Sequence, residues 1–308
     1  MINRILIRIK VLQIVYAYYQ KGSNDLKVAE NELLLSLRRS YDLYHYFLLL
    51  IVDVTRMYER MIEVKRNKYR PTDEERNPDT RMLNNRLTKQ IAENKDLLKY
   101  SKEHGISWAD EQDFVKKILE LILESETYVD YIKNEDDSYE SDKEFWRLVF
   151  KRLISNNEFV EDDLEERSIY WNEDVDIIES FVIKTIKRFS ENTGSAQELI
   201  PMFNSDDDYD YVVELFRQAL LNGDKYRERI DKHTKNWESE RVANMDLVIM
   251  QVALAEIMNF PTIPVSVTLN EYIDAAKYYS TPKSSTFING VLDAIVEELK
   301  AEKLLMKN

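Results

Sequence analysis

The sequence predicts an all-α protein, and three observations carry this. Only 5 Gly and 6 Pro interrupt 308 residues. Apolar residues recur at i, i+3 and i+4 along most of the chain, while the strict alternation of a half-buried strand is scarce. Hydrophobic residues make up 44%, enough for sizeable cores in one large or two modest domains and too much for wholesale disorder.

The elements follow in order. A first helix is expected over about residues 3–20, with Ile5, Ile9, Leu12, Tyr16 and Tyr19 on its apolar stripe and Arg4, Arg8 and Lys10 mostly off it. Gly22-Ser23-Asn24 stops it. A long helix is expected over about 25–65, where Tyr41, Tyr44, Tyr46 and Phe47 read as core. A polar linker containing Pro71 and Pro78 leads to a helix over about 81–103, ended by His104-Gly105. Ser107 is placed to cap the next, about 108–133. Beyond an acidic loop at 134–138, the apolar run 145–154 gives a short helix, and another spans about 175–189. After a second acidic loop at 204–208, residues 210–233 form a helix pair bent near Asn222-Gly223, where Gly lets the chain leave helical dihedrals. Three last helices, at about 242–259, 266–279 and 284–303, pack as a small bundle with turns marked by Pro261, Pro264 and Pro282.

Several chemistries are excluded or unsupported. With no Cys there is no disulfide framework, thiolate metal site or cysteine nucleophile. His45, His104 and His233 are far apart, without helix-borne metal spacing, and no phosphate loop or nucleophile elbow is present. No catalytic residue, metal or cofactor is therefore expected. There is no secretory signal, and the most apolar run, 47–52, is far shorter than the roughly 20 residues a membrane span needs, so no membrane partner and a cytoplasmic location are expected. The net charge of −14 disfavours non-specific nucleic-acid binding but permits a local basic patch. Residues 134–180 carry 16 acidic and 5 basic residues, whereas residues 1–21 carry Arg4, Arg8, Lys10 and Lys21 and no acid.

The most informative stretch is Ser284-Ser285-Thr286-Phe287-Ile288-Asn289-Gly290-Val291-Leu292-Asp293. Its hydroxyls are placed to cap a helix whose apolar residues continue through Leu299, yet Gly290 stands inside the helix at a cost of roughly 1 kcal/mol. The missing side chain serves either close helix approach or a binding surface formed by the helix start and Phe287. Upstream stand Trp237-x-x-x-Arg241, an apolar helix ending Ala253-Leu254-Ala255-Glu256-Ile257, Pro261-x-x-Pro264, and Val267-x-x-Asn270-Glu271-x-x-x-Ala275-Ala276-Lys277. Together, residues 237–293 resemble the C-terminal half of the NusB transcription-antitermination family. Arg4-x-x-x-Arg8-x-x-x-x-Gln13-x-x-Tyr16 resembles that family's first helix.

The resemblance implies NusB-like helical bundles. An N-terminal bundle from residues 1–65 and 206–236 is enlarged by a helical insertion at 66–205, whose role the resemblance does not carry, and residues 237–308 form a C-terminal three-helix bundle. It implies transcription antitermination: binding a single-stranded, boxA-like RNA signal in ribosomal RNA leader transcripts with the ribosomal protein NusE, then joining the RNA polymerase elongation complex. The implied RNA-contacting residues are Arg4, Arg8, Lys10, Gln13 and Tyr16 on the first helix, and Lys277, Lys283, Ser284, Thr286 and Phe287 around the last turn. From the residues alone, the cations fit either phosphate contact or an ordinary solvated face, Phe287 fits stacking or core, and Ser284 fits anion binding or capping. Leu6 and Ile7 stand where relatives carry further arginines. Glu256, at the end of an apolar helix where the dipole disfavours an acid, calls for a partner cation; with Gln251 and Phe260 it marks the face turned to the basic NusE. Asn270 reads as a structural contact tying helix to turn. The alternative is a helical protein–protein adaptor that has lost RNA binding. A ribosomal RNA methyltransferase of related fold is disfavoured, because its cofactor domain and catalytic cysteines are missing.

Overall fold

The computed structural model describes residues 1–22, 25–172, 174–234, 244–281 and 283–305. Among the described residues there are sixteen α-helices and no strand. The expected motif pair Trp237 and Arg241, the turn marker Pro282, and Ser23-Asn24 lie outside the described residues. Contacts divide the chain into two compact units, one of residues 2–37 with 203–308 and one of residues 38–202 with Met1. The second is nested in sequence inside the first; below they are the core unit and the inserted unit. The sequence reading starts an insertion at residue 66, whereas the inserted unit begins within a helix at Arg38.

The core unit starts with α1, Arg4–Gln20, whose N-cap Asn3 accepts a 2.9 Å bond from the Leu6 amide. The helix α2, Leu26–Arg66, contributes residues 26–37 to this unit. The inserted unit holds the rest of α2, then α3 (Asp73–Arg76), α4 (Arg81–Asn84), α5 (Arg86–Ala92), α6 (Lys95–His104), α7 (Gln112–Glu124), α8 (Glu126–Lys133), α9 (Tyr139–Val149), α10 (Glu158–Arg167) and α11 (Val175–Arg188). Returning to the core unit, the chain forms α12 (Asp206–Leu221), α13 (Gly223–Thr234), α14 (Asn244–Asn259), α15 (Val265–Tyr279) and α16 (Ser284–Ala301).

Within the inserted unit, two long expected helices are cut by polar caps. Asn85 and Asn94 split the 81–103 stretch because each buried side chain accepts the amide three residues on, from Thr88 at 2.9 Å and Leu97 at 3.0 Å. Ser125 does the same between α7 and α8 through the Tyr128 amide. The acid-rich α10 falls between the expected helices 145–154 and 175–189, where no element was expected; buried Val160 and Leu164 give it an inner face. Tyr44 and Phe47 are fully buried, as the aromatic pattern of α2 requires.

In the core unit, α14 is the hub. It packs against α1, α12, α13, α15 and α16, and every residue from Val248 to Ile257 is buried. Each Leu, Ile or Val enclosed this way contributes about 1.5–3 kcal/mol. The first helix corrects its expected stripe. Ile5 is exposed, while Leu6, Ile7, Val11, Leu12, Ile14 and Val15 are buried between α12 and α14. A helix wedged against two neighbours has no single polar face, so a one-stripe reading misplaces its charged residues.

Candidate functional site

The charged residues of α1 are used inside the core unit. Arg8 is only 5% exposed, and its Nε and Nη2 each donate a 2.8 Å bond to the Glu256 carboxylate on α14. Arg8 Nη1 also lies 3.4 Å from Glu271 of α15. Glu256 is fully buried and accepts further bonds from the hydroxyls of Tyr211, Thr268 (2.7 Å) and Tyr272 (3.3 Å). Burial pushes the Glu256 carboxyl up, but the Arg8 hydrogen bonds and charge, with the Tyr211 and Thr268 donors, override it and hold the group below the usual carboxylate range. Burial likewise works against the Arg8 charge, and its Glu256 bond overrides that and raises it. Two expectations are thereby corrected. Arg8 does not face solvent, and the cation that Glu256 needs comes from its own chain.

Lys10 is 2% exposed and does not line a surface either. Arg4 does reach solvent, with 43% of its side chain exposed, over the Tyr211 ring at 4.8 Å and with its Nε 3.9 Å from Asp208. Gln13 and Tyr16 are half-buried. Gln251 is fully buried, so it too leaves the expected partner face: its amide donates to the Tyr19 hydroxyl at 2.8 Å and to the Ala219 carbonyl at 2.7 Å, and its oxygen accepts from Arg227 at 2.8 Å. Phe260 is half-buried, edge-on to Tyr211 at 4.9 Å between centroids. Asn270 is exposed and its side chain makes no hydrogen bond among the described residues, while Glu271 pairs with Arg8 of α1, so a contact between helices stands where a tie from helix to turn was expected.

A second cluster forms where α15 meets α16. Ser284 is buried, and its hydroxyl donates a 2.9 Å bond to Asp246 of α14 while accepting the Thr281 amide at 3.2 Å. Ser280 also donates to Asp246. Ser284 is thus a fastening between α14 and α16; it neither caps α16 by its side chain, whose cap position is Lys283, nor faces a ligand. Outward lie Lys277, which pairs with Asp274 at 2.6 Å, and Lys283, which has no ion pair among the described residues. Thr286 is exposed and Phe287 half-buried. Spacing of three and four puts Lys283, Thr286, Phe287 and Gly290 on one face of α16. A Cβ on exposed Gly290 meets nothing within 4 Å, so close helix approach does not explain that glycine.

The expected sites thus resolve into two levels of α14. Arg8 joins it at Glu256 and the α15–α16 junction joins it at Asp246, which puts about 15 Å of helix axis between them. The sequence reading missed Asp246, Tyr211, Thr268 and Tyr272; the usable signal was two acids inside an otherwise apolar helix, which demand buried donors. Among the described residues no group of His, Asp or Glu is placed to hold a metal ion, and no helix is long and apolar enough to cross a membrane. Two histidines far apart in sequence do meet: Tyr100 stacks on His45 at 3.8 Å and on His104 at 4.0 Å, and burial pushes His45 down to about 4.

Comparison with known proteins covers most of the core unit's second segment and reaches back over α11 of the inserted unit. The NusB family pattern matches residues 173–297. The chain is 35% identical over 132 residues to the transcription antitermination protein NusB of Salinibacter ruber, covering 41% of this chain and 82% of that protein. It is 33% identical over 129 residues to that of Geotalea uraniireducens, 42% and 87% of the two chains, and 40% identical over 93 residues to that of Koribacter versatilis, 30% and 64%. No solved structure matches significantly. With four-fifths of a relative's length matched at that identity, the chain belongs to the NusB family of transcription antitermination proteins, a family of non-enzymatic factors.

Proposed function

We propose that this chain acts in transcription antitermination by holding a boxA-like single-stranded RNA signal of ribosomal RNA leader transcripts together with NusE, and that the complex joins the RNA polymerase elongation complex. The observation that carries this reading is the match of the relatives named for antitermination to most of their own length. The RNA surface of the reading is the outer face of the α15–α16 junction, Lys277, Lys283, Thr286 and Phe287, with Arg4 as a further phosphate contact and Gln13 and Tyr16 at its margin. Arg8 and Ser284 act from inside, by holding α1 and α16 to α14, and Lys10 is enclosed with them. An acidic chain of net charge −14 suits a basic partner such as NusE, and Phe260 remains the half-exposed member of the expected partner face, since Glu256 and Gln251 are enclosed. In this reading residues 66–205 are an insertion whose role the family resemblance does not carry.

One observation favours the adaptor reading: Arg4 and Lys277 each have an acid close by, which weakens the field available to phosphate. Fluorescence anisotropy with a boxA-like RNA, with and without NusE, decides between the two. RNA binding that weakens in Lys283→Glu and in Phe287→Ala, with the charge change also flattening the salt dependence, supports the RNA reading. No affinity at modest salt with NusE present supports the adaptor.

A further inference from the structure

Past Ile62, the last buried residue of α2, residues 63–70 are all exposed. This tip carries Lys65, Arg66, Lys68 and Arg70, with no acid from 64 to 72. It also carries two unburied hydrophobic side chains, Val64 at 68% and Tyr69 at 94% exposure. The helix dipole accounts for Lys65 and Arg66 in the last turn. It does not account for Lys68 and Arg70, which lie beyond the helix end, nor for an aromatic ring left in water. Lys68 pairs with Glu75; Lys65, Arg66 and Arg70 have no ion pair among the described residues. The Arg70 guanidinium lies 5.6 Å from the Tyr69 ring centre. All this stands in a unit whose residues 38–202 include 26 basic and 36 acidic ones, so the tip is cationic against its surroundings.

Three exposed cations without an ion pair among the described residues, on one short tip with an exposed ring, fit a polyanion that also offers flat faces. We propose that the tip 64–70 is a second contact for single-stranded RNA, with phosphates on Lys65, Arg66 and Arg70 and an unpaired base stacked on Tyr69. It rests on the RNA-binding reading of the core unit and extends it to the inserted unit. A duplex suits the tip less, because its bases are stacked on one another and hide their faces from Tyr69.

The test uses the full chain, a labelled unstructured RNA, and anisotropy across a salt series. The triple variant Lys65→Ala/Arg66→Ala/Arg70→Ala is expected to flatten the slope of log affinity against log salt by about 2, because each single-strand phosphate contact contributes about 0.7. Tyr69→Ala is expected to weaken binding by about fivefold or more with little change of slope. All four side chains are exposed, so unchanged circular dichroism is expected and checks the fold. A parent chain that binds RNA while both variants match it in affinity and slope overturns the tip alone. A parent chain with no RNA affinity, even with NusE, overturns the core-unit reading and the tip with it. Polyglutamate or duplex RNA competing as well as the single strand also overturns the assignment, since the tip would then be a surface for any polyanion.

Discussion

Replacing Arg8 by Ala tests whether α1 serves RNA directly or holds the core unit together. Glu256 is fully buried, and Arg8 meets it with two bonds of 2.8 Å. Removing the guanidinium takes the Arg8 charge away from a carboxylate that three hydroxyls also donate to. Breaking a buried pair from one side costs about 3–5 kcal/mol, against a total stability of about 5–15 kcal/mol for a typical domain. The pH dependence has a definite sign. In the parent, Glu256 is held below its ordinary value, so its contribution is present above the usual carboxylate range and lost as pH falls through the lowered value. In Arg8→Ala burial is no longer opposed by the Arg8 bonds and charge, only in part by the hydroxyl donors, and the carboxyl rises, so the stability gap between variant and parent narrows on acidification. Adding Glu256→Gln to Arg8→Ala recovers part of the loss, because a neutral amide still accepts from Thr268 and needs no cation. Three of the four tryptophans, Trp108, Trp146 and Trp171, lie in the inserted unit, so fluorescence reports mainly that unit; urea unfolding is followed by circular dichroism, with amide exchange resolved to peptides of α1 and α14. Arg8→Ala within about 1 kcal/mol of the parent, or a double variant no better than the single one, refutes the buried-pair argument.

Three further perturbations read other parts of the fold. Glu179 of α11 is buried with one oxygen accepting from Ser155 and the other without a hydrogen-bond partner among the described residues, and burial pushes its carboxyl up to about 8. The folded state therefore keeps a proton that the unfolded chain loses, stability of the inserted unit falls as pH rises from the usual carboxylate range to about 8, and Glu179→Gln removes up to on the order of 4 kcal/mol of that decline; parallel urea midpoints across pH in tryptophan fluorescence would count against it. A Cβ at Gly223 meets the Tyr19 hydroxyl at 2.7 Å and the Gln251 amide at 3.0 Å, so Gly223→Ala is expected to cost about 1–3 kcal/mol and to be partly relieved by Tyr19→Phe, as measured by thermal melts. Gly290 is exposed within α16 with open space around it, so Gly290→Ala is expected to raise stability by up to about 1 kcal/mol, and a loss would show a contact that the geometry does not contain.

Helical periodicity and turn chemistry made most of the fold legible. The expected spans 3–20, 25–65, 175–189 and 266–279 match α1, α2, α11 and α15 to within a residue at each end. What stayed hidden is tertiary in origin. Asn85 and Asn94 look like tolerable helix residues, yet in the fold their side chains win the amides of Thr88 and Leu97. The bend at Asn222-Gly223 was legible, but the need for glycine lies in the space taken by Tyr19 and Gln251, and Gly223 itself is not left-handed. On α1, a stripe chosen from Ile5 and Ile9 pointed Arg8 and Lys10 outward; packing on two sides turned both inward.

The polar residues of α14 show why composition alone misassigned the site. Asp246, Gln251 and Glu256 are spaced by five, and at about 100° per residue successive side chains point about 140° apart around the axis. Each is buried and each is met by a different set of neighbours: Asp246 by Ser280 and Ser284, Gln251 by Tyr19, Ala219 and Arg227, Glu256 by Arg8, Tyr211, Thr268 and Tyr272. A polar group sealed inside a helix bundle is costly unless bonded, so every such residue on a central helix specifies where a neighbouring helix must lie. In the linear sequence such a residue is indistinguishable from one that awaits a partner molecule, because both stand out against an apolar run. The distinction comes from how many sides of the helix are covered. With five helices packed around α14, the three residues orient α1, α12, α13, α15 and α16, and the RNA surface proposed for the core unit draws instead on exposed side chains of the α15–α16 junction.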